Sequence, residues 1–79
     1  MPTAAQIRAA RHLVGLSQAD IATRTGLSLP TIKRVESDRT VSVSMEAAAA
    51  VRSALEAAGV IFVEENGEGP GVRLRKDRR

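Results

Sequence analysis

The chain has 79 residues, 43% of them hydrophobic and only one aromatic, Phe62, so it has room for one domain with a small aliphatic core. It has no cysteine, no run of about 20 apolar residues and no signal-peptide pattern, which excludes disulfides and a membrane span and predicts a cytoplasmic protein. The net charge of +3 is unevenly spread: residues 1–43 and 70–79 are basic and residues 44–69 are acidic, which is typical of a protein that turns one surface toward a polyanion.

The first predicted helix begins with a capping box. Thr3 and Gln6 have the spacing at which each side chain accepts a hydrogen bond from the other residue's backbone N–H. A helix over residues 4–13 should follow and end before Gly15. Its apolar face is formed by Ile7, Ala10 and Val14.

Two short helices are predicted next, separated by only three residues. Ser17 caps a helix over residues 18–25 that Gly26 ends, and Ser28 caps a helix over residues 29–37. The side chains expected to face inward are Ala19, Ile21, Ala22, Ile32 and Val35. A tight turn with a glycine between two such helices is typical of a helix-turn-helix unit, in which the second helix lies in the major groove of DNA.

The last part of the chain changes from helical to strand periodicity. Ser44 caps an alanine-rich helix over residues 45–58, with an apolar stripe of Met45, Ala48, Val51 and Leu55. Residues 60–63 and 72–75 then read as two strands of a hairpin, because turn residues separate them. The predicted organisation is a helix-turn-helix domain over residues 1–59, a hairpin over residues 60–75 and a basic tail over residues 76–79.

The stretch Leu16–Ala22, followed by Gly26–Ser28, Thr31-Ile32 and Val35-Glu36, resembles a known family. It is similar to the phage-repressor type of helix-turn-helix protein, also called the Cro-like or xenobiotic-response-element (XRE) family, over roughly residues 5–58. The resemblance implies a mainly α fold of four helices, here with a C-terminal β-hairpin. It further implies a transcriptional regulator, a homodimeric repressor that reads an inverted-repeat operator in double-stranded DNA.

The same resemblance implies which residues meet DNA. Those at the matching positions are Ser17, Gln18, Ser28, Leu29, Pro30, Thr31, Lys33, Arg34, Arg39 and Thr40. Ser17 and Gln18 would bind a phosphate, Arg39 and Thr40 would hold the backbone, and Arg34 would read a guanine. Leu29 and Pro30 depart from relatives with Asn or Gln here, since their side chains donate no hydrogen bond. Arg11 and Glu36 match positions that form a buried or half-buried ion pair.

The hairpin and the tail each have two interpretations. Both faces of the strand over residues 60–63 are apolar, so a second subunit could cover one face, or both could be buried within one chain. The first interpretation gives a homodimer interface of Val51, Leu55, Ile61, Phe62 and Val63. The basic tail could bind phosphates or be a solvated end, and its role is left open at this stage.

Other function classes receive less support. A protein-interaction module of antitoxin-like or antiactivator type would use the same fold, and an acidic or apolar surface in place of Lys33 and Arg34 would favour it. The sequence offers no nucleophile–base pair, carboxylate dyad or cofactor motif, so we expect no enzyme, no cofactor and no small-molecule effector. His12 is the only histidine, so we also expect no metal site; it suits the C-terminal end of the first helix.

Overall fold

A computed structural model describes residues 1–39 and 42–76 of the chain. Four helices precede a two-stranded antiparallel sheet, which confirms the predicted fold class. The elements are α1 (Ala4–Leu13), α2 (Gln18–Thr25), α3 (Leu29–Val35), α4 (Met45–Ala57), β1 (Val60–Val63) and β2 (Gly71–Leu74). None of the helices within the described residues is long and apolar enough to cross a membrane.

The capping box predicted for α1 is confirmed. The Thr3 hydroxyl accepts from the Gln6 N–H at 3.1 Å, and the Gln6 side-chain oxygen accepts from the Thr3 N–H at 2.8 Å. These bonds satisfy two N–H groups that the first turn of a helix otherwise leaves without partners. Gly15 follows the helix with a φ of 71°, in the left-handed region that glycine adopts at little cost.

The helix-turn-helix unit is built from the local signals that the sequence contains. Ser17 caps α2 by accepting from the Asp20 N–H, and Gly26 ends it at a φ of 78°. Ser28 caps α3 two residues later. One inward-facing assignment was wrong: Ala19 is exposed, because it lies about 200° around the helix from the fully buried Ile21.

Helix α3 ends at Val35, earlier than the predicted residue 37. Just beyond this end, Arg8 Nη1 of α1 donates to the carbonyl of Glu36 at 2.6 Å. The bond satisfies one of the carbonyls that the last turn of a helix leaves without an intrahelical partner. The Ser37 N–H bonds to the carbonyl of Arg34, three residues back, as in a tightened last turn.

Helix α4 buries Val51 and Leu55 of the predicted stripe, with Ala48 half-buried, but its first turn differs from the prediction. Its buried residues are Ala47, Val51 and Leu55, spaced four apart, whereas Met45 is 80% exposed. Met45 is two residues from Ala47 and therefore lies about 200° around the helix. The helix also ends at Ala57, one residue before the predicted end.

The hairpin pairs β1 with β2 in antiparallel register, Val60 opposite Leu74 and Val63 opposite Gly71. The second strand is one residue earlier in the chain than predicted, at residues 71–74 rather than 72–75. A further bond from the Arg75 N–H to the Gly59 carbonyl at 2.7 Å extends the pairing past the strand ends. The sheet packs against both α1 and α4.

The core is aliphatic and is shared by helices and hairpin. Its fully buried large side chains are Ile21, Ile32, Val51, Leu55 and Val60. Val51 and Leu55 were predicted as interface residues, and this assignment was wrong, because both are fully buried within the chain and present no surface to a partner. Phe62 of the predicted interface also packs against this core, whereas Ile61 and Val63 lie half-buried on the opposite face of β1.

Candidate nucleic-acid interface

Helix α3 has a buried side that holds it in place and an exposed side that carries charge. Ile32 is fully buried and Val35 is 8% exposed, so both are fixed in the core. The exposed side consists of Leu29, Pro30, Lys33 and Arg34. Because α3 is anchored in this way, its outer side chains are held on a rigid element, as specific recognition of a ligand requires.

A short chain of hydroxyl contacts organises the start of α3. The Ser28 hydroxyl accepts from the Thr31 N–H at 3.2 Å and lies 2.9 Å from the Thr31 hydroxyl. The Thr31 hydroxyl accepts in turn from Arg34 Nη2 at 3.3 Å. The Arg34 guanidinium therefore lies along the first turn of α3, beside Ser28, while the residue stays exposed.

The beginning of α2 is occupied by contacts within the chain. Asp20 accepts from the Ser17 N–H at 2.8 Å. Hydrogen bonds from the backbone and the side chain of Ser17 lower the pKa of the Asp20 carboxyl, and nearby Arg24 lowers it further. An exposed carboxylate thus stands where Ser17 was predicted to meet a phosphate.

Beneath these helices lies a buried polar cluster. Arg11 forms a two-bond ion pair with Glu36, with Arg11 Nε 2.7 Å from Oε2 and Nη2 3.0 Å from Oε1. Gln18 donates from its side-chain amide to the same Oε1 at 3.1 Å. The Glu36 side chain is 2% exposed and that of Arg11 12%. The cluster joins α1, the first residue of α2 and the residue after α3.

A second arginine of α1 reaches the segment that follows α3. Besides its bond to the Glu36 carbonyl, Arg8 forms an ion pair with Asp38, at 3.1 Å from Nη2 to Oδ2. Arg39 comes directly after it and is exposed, with its N–H bonded to the Ser37 hydroxyl at 3.0 Å. Thr40, the other predicted backbone contact, lies outside the described residues, as do residues 77–79 of the tail.

The predicted DNA-contacting residues thus divide into two groups. One group is exposed at the start of α2, on α3 or next to it: Ser17, Ser28, Leu29, Pro30, Lys33, Arg34 and Arg39. The other group is half-buried and consists of Gln18, which bonds to Glu36, and Thr31, which bonds to Ser28. Arg8 was missed as a positioning residue, although its place one turn before Arg11 on α1 was a usable signal.

The comparisons with known proteins agree with this geometry. A family model described as a helix-turn-helix domain matches residues 4–61, which include all four helices and the first residues of β1. No curated protein matches the sequence. Since the match covers most of the chain and confirms the resemblance noted in the sequence, the chain belongs to the family of helix-turn-helix domains of the Cro-like type, a DNA-binding family.

Proposed function

We propose that this protein is a sequence-specific transcriptional regulator that binds double-stranded DNA as a homodimer and represses by occluding a promoter. The observation that supports it best is the two-sided helix α3, whose buried side fixes an exposed row that ends in Lys33 and Arg34. Two subunits would place two such helices in successive major grooves, with half-sites about one turn of DNA apart.

Within this proposal each exposed residue of α3 has its own part. Arg34 reads a guanine through two parallel hydrogen bonds, and Lys33 contacts a base or a phosphate. Leu29 and Pro30 meet only a thymine methyl group or the shape of the groove. Arg39 binds a backbone phosphate and so fixes the register of the protein on the duplex.

We assign Gln18 a different role from the phosphate contact that the resemblance implies. Its amide is bonded to the buried Glu36, so we assign it to holding α2 against the end of α3. The phosphate contact at the start of α2 then comes from the exposed Ser17, next to the carboxylate of Asp20. That carboxylate is the feature that favours the alternative function, a protein-interaction module that keeps the fold without reading DNA.

Selection of bound sequences from a random duplex library tests the proposal directly. We expect the wild type to enrich an inverted repeat. Arg34→Ala should lose preference at one base pair of each half-site, at a cost of about 1–3 kcal/mol per pair. Arg24→Ala is the matched control, because it removes an equal charge from an exposed residue at the far end of α2.

The outcomes separate the two functions. An enriched palindrome that relaxes at one position in Arg34→Ala, but not in Arg24→Ala, supports a sequence-specific dimeric regulator. Enrichment of no sequence would contradict the proposal and favour the protein-interaction module. The same relaxation in both variants would show that the arginines act only through their charge.

A further inference from the structure

The segment that follows α3, residues 36–39, is held against α1 by two arginines that lie one helical turn apart. Arg11 forms the buried ion pair with Glu36. Arg8 Nη1 donates to the Glu36 carbonyl at 2.6 Å and to Asp38 Oδ1 at 3.1 Å, and Arg8 Nη2 lies 3.1 Å from Asp38 Oδ2. The Arg8 guanidinium thus binds both oxygens of Asp38, the two-bond geometry that fixes how a carboxylate is oriented.

Asp38 lies at the border of the proposed DNA interface. Its neighbour in the chain, Arg39, is exposed and lines the same surface cleft as Arg34 and Ser37. Arg39 therefore stands beside the exposed side of α3. Because adjacent residues have Cα atoms about 3.8 Å apart, a phosphate bound by Arg39 lies within on the order of one Debye length of Asp38.

A carboxylate in this place opposes DNA binding unless its charge is compensated. The Asp38 side chain is 74% exposed, and repulsion between it and a phosphate would offset part of the attraction that Arg39 supplies. Arg8 brings a positive charge into contact with both carboxylate oxygens and holds them toward α1. The pair is neutral as a unit, so Arg39 keeps its attraction for a phosphate.

We propose that Arg8 is a positioning residue for DNA binding that acts through Asp38. It holds the Asp38 carboxylate against α1 and away from the phosphate backbone, and it fixes the turn from which Arg39 extends. The inference rests on the proposed function, because it concerns the same interface. It gives α1, which contributes none of the predicted DNA contacts, a part in setting the affinity.

A direct contact between Arg8 and a phosphate is the competing explanation. Nη1 of Arg8 carries two hydrogens and already has two acceptors, the Glu36 carbonyl and Asp38 Oδ1. It has no hydrogen left to donate to a phosphate. Nη2 is engaged by the other oxygen of Asp38. The geometry therefore favours the indirect role.

A double-mutant cycle on DNA affinity tests whether Arg8 acts through Asp38. The wild type, Arg8→Ala, Asp38→Ala and the double variant are compared by fluorescence anisotropy with a labelled duplex of random sequence. This probe measures phosphate binding and requires no knowledge of the operator. The dissociation constant is measured over a series of salt concentrations.

We expect Arg8→Ala to raise the dissociation constant about tenfold when Asp38 is present, but about threefold or less when residue 38 is alanine. Loss of a positive charge acting alone would raise it by the same factor in both backgrounds. Arg52→Ala is the matched control. The Arg52 side chain is also 35% exposed and also lies 3.1 Å from a carboxylate, but its partner is Glu56, within α4. It should change the affinity by about threefold or less.

Circular dichroism and urea denaturation establish that each variant is folded under the binding conditions. Removal of Asp38 does not replace the bond from Arg8 to the Glu36 carbonyl, so recovery of affinity in the double variant is a result that a general loosening of the fold would not give. If Arg8→Ala does not fold, Arg8→Lys takes its place. It keeps the charge but lacks the planar fork of the guanidinium, so we expect a smaller loss that Asp38→Ala again cancels.

Several results would overturn this inference. An equal loss of affinity in both backgrounds would do so. So would a decrease of about 1 in the slope of log affinity against log salt in both backgrounds, because Arg8 would then bind a phosphate itself. A wild type that binds no duplex would overturn the inference together with the proposed function. Coupled binding of random duplexes with no enriched sequence would contradict only the sequence-specific function.

Discussion

Glu36 is the residue on which the helix-turn-helix unit depends most. Its carboxylate accepts from Arg11 on α1 and from Gln18 on α2, and it immediately follows α3. The Glu36 side chain is only 2% exposed, so its charge depends on these partners and not on water. A buried charge is tolerable only while its partners remain, so one substitution here leaves an arginine uncompensated in the interior.

We therefore expect Glu36→Ala to lower the free energy of unfolding by about 3–5 kcal/mol, measured by urea denaturation. Asp38→Ala is the matched control, because it removes the partner of Arg8 in an ion pair whose aspartate is 74% exposed. That change should cost about 1 kcal/mol or less. If Glu36→Ala does not unfold the domain entirely, Glu36→Gln should recover part of the loss, because the amide keeps one of the two accepting oxygens. Equal losses in the alanine variants would contradict the central role given to the buried pair.

Gln6 connects one element to another, since its side chain both caps α1 and binds the hairpin. Its oxygen accepts from the Thr3 N–H, and its amide donates to one carbonyl on each strand. Gln6 itself is 8% exposed, so these groups have little access to water if the bonds are lost. One side chain thus joins the hairpin to α1 by hydrogen bonds, in addition to the apolar packing of the sheet on the core.

The substitution Gln6→Glu separates the role of Gln6 in capping α1 from its role in binding the hairpin. A carboxylate still accepts from the Thr3 N–H but offers no donor to Val63 or Gly71. We expect a loss of about 1–3 kcal/mol in unfolding free energy, together with faster hydrogen exchange at the amides of β1 and β2. Thr3→Ala, which removes only the cap at the helix start, should cost about 1 kcal/mol and leave hairpin exchange nearly unchanged. Hairpin exchange that responds equally to both substitutions would contradict this role of Gln6.

The elements were predictable from sequence wherever the controlling interaction is local. The capping box of Thr3 and the glycine stop after α2 involve residues within a few positions of each other, so their spacing in the sequence carries the information. The hydrogen bond from Gln6 to the Gly71 carbonyl joins residues that are 65 positions apart, and nothing in the sequence around Gln6 indicates this partner. The start of the apolar stripe of α4 was wrong, with Met45 exposed and Ala47 buried, because the alanines there fit several stripes and only packing selects among them.

The candidate site was predictable to the same extent. Ser28, Lys33 and Arg34 follow from where α3 begins and which of its residues are apolar. The engagement of Gln18 with Glu36 depends on how α2 meets the end of α3, which no local pattern specifies. The bond to the Glu36 carbonyl at the end of α3 likewise comes from Arg8, which is 28 residues away in the chain.

Across the whole molecule, charge is divided by position along the chain. The basic residues proposed to meet DNA belong to α3 and the segment directly after it. The exposed Glu64, Glu65 and Glu68 belong to the turn between β1 and β2. DNA binding releases about one counterion for each phosphate that a cation neutralises, so the steepness of the salt dependence counts these contacts. A contact to a phosphate and a contact to a base can therefore be distinguished by experiment.

Substitution of Arg39 tests the distinction between phosphate and base contacts in the proposed DNA interface. It is exposed and lies just beyond α3, so we assign it to a phosphate. We expect Arg39→Ala to weaken binding to all duplexes alike and to reduce the slope of log affinity against log salt by about 1. Arg34→Ala should instead lose base preference at one position of each half-site, and Arg24→Ala should change neither the salt slope nor the base preference. Loss of preference at one base pair in Arg39→Ala would instead make Arg39 a reader of sequence, and the register of α3 on the duplex would have to be reassigned.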